Sequence, residues 1–488
     1  MAIGLVLALA SIAVANPSSA TRAAVVTVGG PAATPPIPGG FLGLSLEYFA
    51  VPAYAGTNPS ATNPVFIQLI RNLAGGNPPE LRIGGDTTDR TWWPIPGTRI
   101  PAGVTNTLTP AWIAVAKALA GAAGAKLTLG INLEADSAAV AGTEANQLID
   151  GIGASRIEAL ELGNEPELYG TFTWGRSGKP GRPRDYDFAG FSRDFSRIAR
   201  ALPTIPLAGP AAGSPKWFAD VGRFLAGHPQ VKVTTLHRYP LQLCYAHRNR
   251  PDYPTISNLL SPLSSEGLAE SVAAAVRASH ARHVPVRIDE MNTIGCGADR
   301  AVGESFASAL WVLDVMFNMA RVGVDGVNIA TFPGASFQLF NFSEAGGIWR
   351  AVVDPEYYGL EMFAQAAPAG SRLLKVSASA TGTGSLPVYA TRAPDGTVWV
   401  VAINETTTGR VVRVRAGEDS QTGALQLLTA PSLRSTSGVT LGGQSFGAST
   451  TTGVLAGPPK TDAVAPTRGG YAVQVPPASA AMLTLAPG

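Results

Sequence analysis

From residue 40 to about residue 334 the chain alternates short apolar runs with longer segments whose apolar residues recur every three or four positions. The first pattern belongs to a buried strand and the second to an amphipathic helix, so their repetition predicts βα units around a parallel sheet. Strands are predicted at residues 40–48, 80–85, 126–133, 157–164, 205–210, 233–239, 286–292 and 326–332. Helices are predicted at 64–73, 110–123, 186–202, 268–282 and 305–322. Eight strands with interleaved helices match a (β/α)8 TIM barrel of the α/β class. An open doubly wound sheet is the alternative, but no GxGxxG opens a helix after an early strand.

Past a last helical segment at 357–365 the pattern changes to period-two alternation in a Thr-, Val-, Gly- and Ser-rich sequence. Runs at 386–392 and 397–403 flank Ala393-Pro394-Asp395-Gly396, a hairpin signal. Further runs at 410–415, 424–428, 471–475 and 481–486 predict a C-terminal antiparallel β-sandwich. The segment 23–28 alternates like a strand but precedes the barrel, and is expected to join that sheet. The expected layout is therefore a signal peptide or disordered N-terminus at 1–22, a joining strand at 23–33, a catalytic barrel at 34–368 and a sandwich at 369–488.

Composition narrows the function. With 45% hydrophobic and 14% charged residues, 55 Gly and 39 Pro, the chain is globular and loop-rich, neither a coiled coil nor a charge-rich disordered protein. A net charge of +2 without a long basic run argues against nucleic acid as a partner. Residues 2–15 are apolar and uncharged, too short to span a bilayer, and end in Ala13-Val14-Ala15, the small-x-small pattern of a cleavage site. A basic n-region is missing, but the segment still predicts a secreted or periplasmic protein with no stable membrane insertion after cleavage. Cys244 and Cys296 follow the sixth and seventh predicted strands and so lie on adjacent loops of one barrel face, where a disulfide is expected. Five histidines without paired-ligand spacing indicate no catalytic metal, and no cofactor fingerprint is present.

In a barrel of this kind the working residues sit at the C-terminal ends of strands. Glu165 follows the fourth predicted strand and Glu290 closes the seventh, so the two carboxylates face each other across the mouth. Such a pair suits retaining glycoside hydrolysis, in which one acid protonates the leaving oxygen and one carboxylate attacks the anomeric carbon. Asn164 fits a donor to the sugar 2-hydroxyl, although a strand-end turn is the commoner use of Asn. His237 and Tyr239 share one side of the sixth strand. His237 could equally contact sugar or be a hydrogen-bonded core histidine. Glu47, Arg82 and Asp86 could bind hydroxyls, or Arg82 could form an ion pair that orients the nucleophile.

Five motifs in this order resemble glycoside hydrolase family 79, of the retaining clan A: LRIGG at 81–85, ELGNEPELY at 161–169, HRYPL at 237–241, DEMN at 289–292 and YYGLEMF at 357–363. That family contains β-glucuronidases and heparanases. The resemblance runs from residue 41 through the sandwich, and implies Glu165 as acid/base, Glu290 as nucleophile and Tyr239 as the hydroxyl that holds the nucleophile. It implies a carbohydrate substrate, with an exo-acting β-glucuronidase as the first reading. The substrate carboxylate of a glucuronide is often held in the family by tyrosines and backbone amides after strands seven and eight, yet 293–297 and 333–338 contain no tyrosine. The N–H groups of Gly334 and Ala335, or the side chains of Ser336 and Gln338, are the expected substitutes. A neutral hexoside is the alternative, for which Phe332 and Phe337 would form an apolar wall. An α-L-arabinofuranosidase and a non-catalytic carbohydrate-binding barrel also stay open. The endo-acting heparanase reading is weaker, although Arg176, Lys179, Arg182 and Arg184 cluster after strand four.

Overall fold

The computed structural model describes residues 24–378, 386–417 and 421–487, so the predicted signal segment lies outside the described residues. Eight parallel strands close a barrel: Leu42–Glu47, Glu80–Gly84, Lys126–Ile131, Ile157–Leu162, Leu207–Ala212, Val231–Arg238, Val286–Met291 and Gly326–Ala330, here called barrel strands one to eight. Each coincides with one of the predicted runs. Strand one is buried at every position, as expected where helices cover the outer face and side chains fill the lumen.

The covering helices begin where short polar side chains satisfy free N–H groups. Asn63 accepts from Val65 and Phe66 with Pro64 in the first turn, Thr109 accepts from Trp112, and Asp187 accepts from Gly190. The Asp187 cap starts its helix at Phe188, two residues after the predicted onset. The segment predicted as one helix at 268–282 is two, Glu266–Glu270 and Ala273–His280. The predicted helices leave out Ala138–Ile152, where Val140, Leu148 and Ile152 are buried. The pattern also missed the hairpin Phe340–Ala345 and Ile348–Val353, which leaves the top of the barrel after strand eight.

The C-terminal strands form a ten-stranded, mostly antiparallel sheet that folds over its own apolar cluster of Val26, Val400, Val412, Val473 and Leu483. Ala24–Pro31 lies inside this sheet, antiparallel to Arg372–Ala378 and parallel to Arg410–Arg415, the parallel pair in an otherwise antiparallel arrangement. The other face packs on the barrel: Ile403, Leu428 and Met482 belong to the same core as the barrel helices. Helices Phe306–Arg321 and Pro355–Ala366 sit at that junction, where Phe317 stacks on Tyr389 with centroids 4.7 Å apart. No helix among the described residues is long and apolar enough to cross a membrane.

Candidate active site

Glu165 owes its position to a turn whose successive N–H groups go to different elements. Gly163 donates to Ile131 on strand three, Asn164 to the Asp89 carboxylate at 2.9 Å, and Glu165 to Ala211 on strand five. The result is a left-handed backbone at Glu165, φ 45° and ψ 56°, a strained conformation for a residue with a Cβ and one that clusters at functional sites. Asp89 also accepts from the N–H groups of Leu133 and Glu134 and from the Tyr169 hydroxyl, so one buried carboxylate ties the ends of strands two, three and four together. The sequence offered no sign of this role beyond a charged residue next to Arg82's strand.

Arg82, wholly buried, organises the floor. It donates to Glu161 at 2.8 Å, to Glu290 at 2.5 Å and to Asn164 Oδ1 at 2.7 Å. Of the ion-pair and hydroxyl-binding readings of Arg82, the structure has the former. Asn164 thereby turns its oxygen to Arg82 and keeps its amide N–H groups for another acceptor. The Tyr239 hydroxyl donates to Glu290 Oε1 at 2.9 Å. Burial opposes ionisation of Glu290, but the His237 and Arg82 charges and the Tyr239 hydrogen bond outweigh it and hold the carboxyl below its ordinary value.

His237 is fully buried, with Nδ1 3.1 Å from Glu165 Oε1 and Nε2 3.5 Å from Asp289. Of its two readings the structure has the hydrogen-bonded one, in which His237 bridges the two carboxylates, and it also lines the cavity above them. Burial would lower its pKa, but the charge of Glu290, the hydrogen bond to Glu165 and the charge of Asp289 raise it to about 10. Asp289 is pushed up by burial and by the neighbouring Glu161 charge, whereas Arg82 holds Glu161 down against its own burial. Both carboxylates lie on Arg82 deep in the barrel, Glu161 at 2.7 Å and Asp289 at 3.6 Å from its nitrogens. Two clusters have metal-ligand reach, Glu161 with His237 and Asp289, and Glu165 with His237 and Glu290. In both, the positive charge that the carboxylates require is supplied by Arg82 and His237.

The other expected ligands are partnered differently from the sequence reading, although Asp86 lines the cavity. Both oxygens of Glu47 are engaged, accepting from the N–H groups of Asp86 and Thr87 and from the Thr87 hydroxyl, which anchors the turn after strand two. Asp86 is exposed and pairs with Arg90 rather than Arg82. Gly334 and Ala335 are corrected as anion donors: Gly334 N–H goes to Gln338 Oε1 at 3.0 Å and Ala335 N–H to Phe332 O, closing a turn on itself. On the neighbouring loop, Thr293 N–H goes to Asn292 and Gly295 N–H to Leu241. Phe332 and Phe337 instead form an aromatic row with Tyr239 and Phe49, with centroids 5.6 to 5.9 Å apart. Arg182 is drawn into Asp194 and the carbonyls of Leu133 and Glu134, so it is not part of a basic cleft.

A cavity of about 670 Å³ opens over Asn164, Glu165, His237 and Tyr239 and is walled by Phe172, Trp174, Trp217 and Tyr245 from the loops after strands four, five and six. The last of these is joined to the strand-seven loop by the Cys244–Cys296 disulfide. One carboxylate oxygen of Glu165 lies within 4.8 Å of one of Glu290. The two side chains are 22% and 15% exposed, enough for a ligand to reach both.

Residues 389–482 match the model of the glycosyl hydrolase family 79 C-terminal beta domain. The chain's C-terminal sheet is thus similar to the C-terminal beta domain of that family. The whole fold is also similar to solved structures. A 4-O-α-L-rhamnosyl-β-D-glucuronidase from Fusarium oxysporum 12S superposes with a TM-score of 0.72 at 20% identity, over 94% of this chain and 100% of that one. A family 51 arabinofuranosidase from Xanthomonas axonopodis pv. citri gives 0.65 at 16% identity, over 95% and 100%. The family 51 α-L-arabinofuranosidase AbfB from Bifidobacterium longum gives 0.63 at 14% identity, over 95% and 99%. A search of curated protein sequences returns no match. These likenesses agree with the fold of a barrel bearing a C-terminal sandwich.

Proposed function

We propose that the protein is a secreted, exo-acting, retaining β-glycoside hydrolase. The observation that carries the reading is the carboxylate pair, whose oxygens approach within 4.8 Å and whose surroundings differ. Retaining enzymes hold their carboxyls roughly 5 to 5.5 Å apart, whereas inverting ones need about 6.5 to 9.5 Å to admit a water. Glu290, kept anionic by Arg82, His237 and Tyr239, attacks the anomeric carbon, while Glu165 delivers its proton to the leaving oxygen. His237 engages Oε1 of Glu165 and leaves Oε2 for that transfer. In the second step the ionised Glu165 takes a proton from water, which displaces Glu290, and the imidazolium beside it stabilises the carboxylate. Asn164, its oxygen bound to Arg82, donates to the sugar 2-hydroxyl. Export is supported by the apolar segment 2–15 and by a disulfide, which persists in oxidising compartments.

The sandwich's likeness to that of family 79 and the similarity in fold to a glucuronidase support a β-glucuronide as substrate. A second reading, a neutral β-hexoside, is favoured by the closed Gly334 turn and by the Phe332–Phe337 row. A buried carboxylate without donors would cost several kcal/mol, so the two readings differ sharply. Comparing kcat/KM for nitrophenyl β-glucuronide and β-glucoside separates them: a ratio far above one supports the glucuronide, and a ratio near one or below supports the hexoside. For the mechanism, Glu290→Gln should not glycosylate at all. Glu165→Ala should still form the glycosyl-enzyme from an activated aryl glycoside and be partly rescued by azide. Inversion at the anomeric carbon would overturn the retaining assignment.

A further inference from the structure

Two arginines shielded from solvent are paired with carboxylates. Arg82 faces three carboxylates and Arg182 faces Asp194 and Asp136. Arg238, which lines the cavity between the loops after strands five and six, has no carboxylate within ion-pair distance among the described residues. One guanidinium nitrogen donates to the Gly213 carbonyl at 3.2 Å, the group lies 5.8 Å from the Phe218 ring centroid, and the buried Nε meets no acceptor. Burial pulls its pKa down to about 10, so it remains a cation at neutral pH. A half-buried cation with an unmet donor gains from a neighbouring anion.

Its place relative to Glu165 says which part of a substrate would bring that anion. A Cβ built on Gly213 would stand 2.8 Å from Glu165 Oε1, so the glycine whose carbonyl holds Arg238 lies against the acid. Arg82 and Asn164, on strands two and four, hold the glycone side. Gly213, Lys216, Trp217 and Arg238 line the cavity from the ends of strands five and six, with Gly213 against Glu165, the group that protonates the leaving oxygen. The rim there is aromatic: Phe172 and Tyr245, both exposed, meet edge to face with centroids 6.1 Å apart.

We propose that Arg238 is a specificity-determining residue of a leaving-group subsite that takes an aglycone presenting a ring face and a carboxylate. The proposal rests on the glycosidase reading. The guanidinium would bind the carboxylate through its terminal nitrogens, a two-point contact that a planar fork makes and an ammonium does not. Trp217, Phe172 and Tyr245 would cover the ring.

The test compares 4-carboxyphenyl and 4-nitrophenyl glycosides of the preferred sugar in wild type and Arg238→Gln. Taking the ratio between enzymes cancels the intrinsic reactivity of each leaving group. Arg238→Gln should lower kcat/KM for the carboxyphenyl substrate at least about tenfold more than for the nitrophenyl one, the scale of a charge-assisted contact. Arg238→Lys should fall between, and it serves if the glutamine variant does not fold. An equal loss on both substrates overturns the proposal. A parallel pair of disaccharides, with a uronate or a neutral hexose at the reducing end, shows whether a sugar acid or an aryl acid is the better source of the carboxylate. If no glycoside of any kind is cleaved, the glycosidase reading fails. Calorimetry then decides on the subsite alone: 4-hydroxybenzoate should bind wild type at least about tenfold more tightly than 4-hydroxybenzyl alcohol and lose that margin in Arg238→Gln. Equal binding of the two would sink it.

Discussion

At Gly213 the absence of a side chain controls the angle of a catalytic candidate. Added carbon would meet Glu165 Oε1 at 2.8 Å and Glu167 Oε1 at 3.4 Å, the mobile ends of two side chains rather than backbone. Gly213→Ala should therefore displace Glu165 without unfolding the chain. The expected result is a loss of about 10- to 100-fold in kcat with a melting temperature close to wild type. His237 gives a pH signature. Its folded pKa, about 10, is raised above the ordinary 6.5, so its protonated form is preferred in the native state. That contribution is fully present below pH 6.5 and is lost as pH rises through 10. In chemical denaturation, wild type should exceed His237→Gln by a few kcal/mol near pH 6 and by much less near pH 10. A gap that stays constant with pH would show that His237 is uncharged in the folded protein.

At the scale of elements, the mouth is held by the loops after strands six and seven. Leu243 N–H donates to Cys296 O at 2.7 Å and Gly295 N–H to Leu241 O at 2.8 Å, so backbone hydrogen bonds already align the loops that the disulfide closes. Cys244→Ser with Cys296→Ser should keep the fold and lose about 2 to 4 kcal/mol of stability, chiefly through the freer unfolded chain. Because Tyr245 and Cys296 line the cavity, KM should rise while kcat changes less. Thermal melting and steady-state kinetics check both. Unchanged stability would mean that the backbone pairing alone fixes the loops.

At the scale of the molecule, barrel and sandwich share one core. The Tyr389 hydroxyl accepts from Asn318 at 2.9 Å and donates to Asp314, joining a sandwich strand to a barrel helix beneath buried Ile403 and Leu428. The chain should thus unfold in a single transition, with coincident circular-dichroism and tryptophan-fluorescence curves. Tyr389→Phe should cost about 1 to 3 kcal/mol, since two buried polar groups lose their partner. Two separated transitions would show that the units are independently stable.

The amino-acid sequence by itself determined the barrel strands and the position of the carboxylate pair. Strand burial leaves a strong apolar signature, and strand ends define the mouth, so Glu165 and Glu290 were placed by counting runs. Helix Ala138–Ile152 packs closely through Gly142, whose added Cβ would stand 2.8 Å from the Ala201 carbonyl, a fit that only the tertiary structure shows. Only the tertiary structure decided which polar groups are already engaged. Gly334, Ala335 and Glu47 read as available donors and acceptors, yet the first two close a local turn and Glu47 anchors the distant turn after strand two. Arg82 and Glu161 each interrupt an apolar run, a sign that a buried charge needs a partner, but their mutual pairing joins strands two and four across 79 residues of sequence. Arg238 is the converse case. Its freedom depends on what surrounds it in space, and hydrogen-bond saturation is a property of neighbours that a linear pattern does not record.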